Sequence, residues 1–129
     1  MLAVDTDVIV RYLVSDDRAQ AARAQKVVDT NDIFVPKTVI LETEWVLRSL
    51  YDFAPAQISA ALGAFAGLPN VRVESAESIS LALDWYRQGL DLADALHLAS
   101  SAACSAFVTF DKAFAKAAAR ATGKTVRAI

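Results

Sequence analysis

The stretch LAVDTDVIV, residues 2–10, sets Asp5 and Asp7 inside an otherwise apolar segment. Ionised acids are among the side chains least often buried unless they are paired, hydrogen-bonded or bound to a metal. Three roles suit the pair: a turn with a helix cap, an aspartate nucleophile with its acid partner, or a share in a metal-binding carboxylate cluster. Glu42, Asp94 and Asp111 add acids from distant parts of the chain. Carboxylates gathered together repel, and their pKa values rise unless a cation neutralises them. An all-oxygen donor set suits Mg2+ or Mn2+, which keep several waters and act on phosphate-bearing substrates. Such an ion polarises a phosphoryl oxygen and activates water for in-line attack. The chemistry indicated is phosphodiester hydrolysis.

Whether the acids can meet depends on the elements that carry them. Short β-type runs alternate with longer helical ones, an order that predicts an α/β sandwich with a mostly parallel sheet. LAVD reads as the first strand, and VIVRYLV continues into a short helix. Asp16 or Asp17 then precedes a helix over residues 18–29, DIFVP forms the second strand, and a helix runs from Thr38 to Leu50. Pro55 opens a helix through about Ala66, stopped by Gly67–Asn70, before VRVE as the third strand and a helix over 75–88. A new helix opens at Gly89–Asp91, AFVTF is the fourth strand, residues 112–122 are helical, and TVRA is a short last strand. Open parallel sheets bind ligands beyond the carboxyl ends of their strands. Asp5 ends the first strand and Asp111 follows the fourth. Glu42 lies a turn into the helix after the second strand, and Asp94 lies in the first turn of the helix feeding the fourth. The four acids are therefore expected to converge.

Each acid also has a plain structural reading. Asp5 is a turn residue or helix N-cap, and Asp7 a cap or secondary ligand. Glu42 and Glu44, two apart, point to different sides of a helix. Val39, Val46 and Leu50 roughly share the Glu42 side, so Glu42 is expected inward and Glu44 in solvent. Asp91 and Asp94 suit a capping arrangement, with Asp91 at the N-cap. Asp94 then begins a helix that is apolar nearly all round, and its carboxylate is expected to be partly desolvated. His97 reads as a hydrogen-bonded core or interface residue, since no second histidine completes a zinc site or a catalytic triad. Asp111 suits a cap for the last helix, with Thr109 placed to orient it.

A chain of 129 residues, 55% of them hydrophobic, suits one compact domain spanning residues 1–129. No apolar run approaches the roughly 18 residues of a membrane span, and nothing marks the chain for export. The single cysteine, Cys104, fits a reducing, cytoplasmic setting and reads as a small core residue. The net charge of −2 gives no global pull toward nucleic acid. After Asp111, however, every charge is basic, and Lys112, Lys116 and Arg120 are spaced to form one cationic stripe on a helix. That stripe reads either as a solvated face or as a phosphate-contacting edge.

VDTDVIVRYL, LETEWVLRSLY, DLADALHLA and VTFDKAF together resemble the PIN domain, most closely the VapC-type toxins of bacterial toxin–antitoxin pairs. The resemblance covers essentially the whole chain, and the four motifs occur in the family order. It implies a three-layer α/β/α sandwich and single-stranded ribonuclease chemistry at a Mg2+ or Mn2+ site held by Asp5, Glu42, Asp94 and Asp111. Thr6 and Thr109 match polar positions that orient those carboxylates, and Asp7 stands where Asn or another small polar residue is common. A homodimer is implied too, with a small VapB-type antitoxin whose C-terminal segment covers the active site and which carries any operator DNA binding.

Rival readings remain. DTDVI also resembles the DxDx[TV] nucleophile motif of haloacid dehalogenase-type phosphatases, with Asp5 attacking phosphate and Asp7 as general acid. Ile9 replaces its Thr or Val, the chain has no room for the usual cap, and DLAD precedes its strand instead of following it. A response-regulator receiver is excluded by the lack of an acceptor Asp after the third strand, where VRVES carries Glu74. A binding module whose acids only cap helices is the non-enzymatic alternative.

Overall fold

A computed structural model describes residues 1–129. The chain folds as two compact units, Met1–Ala76 and Glu77–Ile129. In the first, β1 (Leu2–Ala3), α1 (Thr6–Leu13), α2 (Arg18–Thr30), β2 (Ile33–Val35), α3 (Lys37–Ser49), α4 (Pro55–Ala66) and β3 (Val71–Val73) follow in order. The strands pair side by side as β1-β2-β3, all parallel, with Leu2 opposite Ile33 and Ile33 opposite Val71. Parallel neighbours need long crossovers, which the helices supply. The middle strand is the most protected: Ile33 and Val35 are fully buried, and Phe34 between them is half-buried.

Local chemistry sets these boundaries. Asp5 caps α1 and Asp17 caps α2, each accepting from a backbone N–H of the first turn. Pro55 begins α4 with φ preset, and the Gln57 side chain accepts the Ala54 N–H (2.9 Å). Asn70 closes the turn into β3 by donating to the carbonyls of Val28 and Asn31 (2.6 and 2.8 Å). Ile9, Val28, Ile40, Leu47, Ile58 and Leu62 form a fully dry core, and Tyr12 meets the edge of buried Phe65 at 5.3 Å.

The second unit holds α5 (Ala76–Arg87), which opens at the boundary, then α6 (Leu92–Ala99), β4 (Phe107–Thr109), α7 (Lys112–Ala121) and β5 (Val126–Ala128). β4 and β5 are again parallel, with Phe107 opposite Val126. Gly89, at φ 105°, lets the chain leave α5 in a left-handed turn that a side chain would strain. Leu92, Ala95, Leu96, Leu98 and Ala99 are all buried, so α6 is enclosed nearly all round, as the sequence indicates. The fold is α/β with every strand pair parallel, and the elements follow the expected order. No helix is long and apolar enough to cross a membrane.

Three local expectations are corrected. Glu44 is the buried glutamate, 2% exposed, while Glu42 is exposed. The inward face of α3 is Ile40, Thr43, Glu44 and Leu47, a three-to-four spacing in which Thr43 occupies a core position. The Val39, Val46 and Leu50 side is the flank, and Leu50 is 68% exposed. Cys104 is exposed in the turn segment after α6, outside the core. His97 is also exposed, with its ring stacked on Phe107 at 6.4 Å, which overturns the core half of its reading and not the interface half.

Candidate active site

In the first unit the carboxylates of Asp5 and Glu42 are joined through one residue. The Thr6 N–H donates to Asp5 Oδ1 (2.7 Å), and the Thr6 hydroxyl donates to Glu42 Oε1. Thr6 is buried although it is polar, because both of its donors are satisfied. Asp5 therefore fills its capping role while its position next to Glu42 is fixed. A cavity of about 350 Å3 opens beside them, lined by Asp5, Thr6, Asp7, Glu42, Arg11 and Tyr51 together with Val10, Val46 and Leu50. Asp7 lies exposed on its wall.

The same cavity wall carries a clasp that the sequence reading missed. Arg11 donates through Nη1 to Asp16 (2.9 Å) and to the Tyr51 hydroxyl (3.1 Å), and through Nε to Gln20 (2.7 Å). Tyr51 in turn donates to Asp16 (2.8 Å). The Tyr51 hydroxyl, and next the Arg11 guanidinium, hold the Asp16 carboxyl below its ordinary range, and Asp16 pushes the Tyr51 hydroxyl up. The partners stand up to forty positions apart, so no periodicity announces them. Buried Glu44 was missed as well. It accepts from Arg48 Nε at 2.8 Å. That pair was open to detection by its four-residue helical spacing.

In the second unit Asp91 caps α6, accepting the Asp94 N–H (3.2 Å), and Asp111 caps α7, accepting the Phe114 N–H (2.9 Å). Thr109 accepts the Asp111 N–H at 3.0 Å, which fixes the turn out of β4 as expected. Asp94 is half-buried, as its place in an apolar helix suggested. Its carboxyl is raised above the ordinary range, first by burial, then by the charges of Asp91 and Asp111, with His97 pulling the other way. Lys112, Lys116 and Arg120 are all exposed along α7.

Thus Asp5, Thr6, Asp7 and Glu42 gather in one unit, and Asp94, Thr109 and Asp111 in the other. Within neither unit does a group of three or more His, Cys, Asp or Glu side chains form a metal site by itself. The donor chemistry nevertheless fits a hard divalent cation, since every candidate is a carboxylate and Asp94 is disfavoured as an anion, first by burial and then by Asp91 and Asp111. No curated protein matches the chain. The family model for the PIN domain matches residues 2–120, a span holding all four acids, both threonines and the cationic stripe. PIN domains are nucleases, typically dependent on Mg2+ or Mn2+. Membership of this family implies nuclease activity, and with the match covering most of its length the chain belongs to the PIN-domain family.

Proposed function

We propose that this protein is a divalent-cation-dependent endoribonuclease and the toxin of a VapBC-type toxin–antitoxin pair, acting in the cytoplasm. On this reading both units work as one three-layer α/β/α domain spanning residues 1–129. The observation that carries it is the Thr6 bridge, which holds Asp5 and Glu42, thirty-seven positions apart, in one fixed arrangement on the wall of a cavity. A capping aspartate alone needs no such partner.

Asp5, Asp94 and Asp111 would hold Mg2+, or Mn2+ in its place. When bound, the ion supplies a polarised phosphoryl oxygen and an activated water. Glu42, aimed by the Thr6 hydroxyl, would either join the ligands or help position the attacking water. Asp94, destabilised as a free anion, gains most from a cation's charge. Thr109 keeps Asp111 in place through the backbone. Hydrolysis of the P–O3′ bond would put the water's oxygen on phosphorus, giving a 5′-phosphate, and pass the water's proton to the leaving oxygen, giving a 3′-hydroxyl. Lys112, Lys116 and Arg120 contact the RNA backbone, which predicts weaker binding and a shallower salt dependence when they are neutralised. A small VapB-type antitoxin covers the site with its C-terminal segment, the toxin pairs as a homodimer, and DNA is reached only through the antitoxin.

The test is cleavage of a panel of labelled RNAs with Mg2+, Mn2+ or EDTA, beside Asp5→Asn and Asp94→Asn. Metal-dependent cutting with 5′-phosphate ends, lost in both variants, is the expected result. Hydrolysis of a small phosphate ester that disappears with Asp7→Asn, without RNA cutting, would instead return Asp5 to the role of nucleophile.

A further inference from the structure

Of the six phenylalanines, Phe110 alone is exposed, at 81%, and it immediately precedes Asp111. Its sequence neighbours are accounted for by packing: Phe114 is buried, and Phe107 meets it edge-on at 5.7 Å while stacking on His97. Phe110 has no ring partner and covers no core. Its backbone is nevertheless held firmly, between the end of β4 and a residue tied back to Thr109 and forward to Phe114. Adjacent Cα atoms lie about 3.8 Å apart, so the backbone of Phe110 adjoins that of the acid at the head of α7. On its other side begins the exposed stripe of Lys112, Lys116 and Arg120.

A solvent-facing aromatic ring on a firmly held backbone, next in sequence to a candidate metal ligand and close in sequence to exposed cations, matches the chemistry of a single-stranded polynucleotide, whose bases stack on aromatic faces while cations track the backbone. We propose that Phe110 is a stacking platform for an unpaired nucleobase next to the phosphate being cut, and so helps select single strands and set the position of cleavage. The proposal rests on the nuclease reading. A base paired within a duplex has its faces covered by its neighbours and cannot use the platform.

The test compares Phe110→Ala, Phe110→Leu and Phe110→Trp on single-stranded oligoribonucleotides, some carrying one abasic nucleotide at each position in turn, with a parallel set carrying 2-aminopurine. Phe110→Ala is expected to raise KM about tenfold with little change in kcat, Phe110→Trp to keep or improve KM, and Phe110→Leu to fall between. One abasic position should cost the native protein a similar factor and cost Phe110→Ala nothing further. At that position 2-aminopurine fluorescence should be quenched by the native protein and by Phe110→Trp, but not by Phe110→Ala. Equal KM and equal quenching in all variants of a protein that does cut RNA would overturn the platform alone. Loss in Phe110→Ala and Phe110→Trp alike, with a dimer becoming a monomer in sedimentation, would make Phe110 a contact between copies instead. A native protein that neither cuts nor quenches any strand would overturn the nuclease reading, and the platform with it.

Discussion

The two units cap their helices alike, with Asp5, Asp91 and Asp111 each accepting a backbone N–H, but they differ in how Glu42 and Asp94 are held. In the first, hydrogen-bond donors meet the carboxylates: Thr6 serves Asp5 through its backbone and Glu42 through its hydroxyl. In the second, Asp94 is half-buried, with like charges at Asp91 and Asp111 and only His97 opposing them. The first arrangement is complete as it stands and fixes direction. The second leaves Asp94 with a raised pKa, which on the proposed reading a bound cation would lower. A protein whose acids served only as caps would have no use for a carboxylate at position 94, because Asp91 caps α6 through the Asp94 backbone N–H.

The largest effect expected from this contrast is on catalysis. Asp94→Asn and Asp5→Asn should each lower metal-dependent RNA cleavage by on the order of 10³-fold, measured at saturating metal, because each removes charge that stabilises the reacting site. Next comes stability in the absence of metal, where the signs separate. Asp94 has a raised pKa in the folded chain, so its contribution to stability is fully present below its unfolded pKa and is lost as pH rises through the folded value. In EDTA at neutral pH, Asp94→Asn should therefore melt above the native protein, with the gap closing in acid. Added Mn2+ should raise the native Tm and leave Asp94→Asn nearly unmoved. Thr6→Val should lower activity about 10- to 100-fold by freeing Glu42, and should cost about 1 kcal/mol in urea unfolding. The smallest effect belongs to Tyr51→Phe. It removes the first cause of the lowered Asp16 pKa, so the stability lost as pH falls through the Asp16 range should shrink, as followed by acid titration of the fold.

Much of this was legible in the sequence because it is written locally. Asp91 and Asp111 before apolar helices, Pro55 at a helix start and the alternation of short β runs with helices all act within a few residues. The paired threonine and acid in TFD likewise foretold the Thr109 bond to the Asp111 backbone. The misreadings arise where tertiary packing overrules composition. Thr43 fills a fully dry core position while Trp45 and Leu50 stay exposed, so counting apolar residues on α3 turned the helix and exchanged the fates of Glu42 and Glu44. Cys104 and His97 sit beside apolar residues in sequence but on turns and faces that open to solvent. The clasp of Arg11, Asp16 and Tyr51 joins α1 to the end of α3 through long side chains, and such pairings leave no periodic trace.

The central claim is that the acids of both units serve one reaction. A double-variant cycle on Mn2+-dependent RNA cleavage tests it directly, with Asp5→Asn, Asp94→Asn and the two combined. Residues acting as a unit are strongly non-additive. The double variant should therefore be scarcely worse than either single one. A double variant whose loss equals the product of the two single losses would show that Asp5 and Asp94 act independently, and would contradict the shared site.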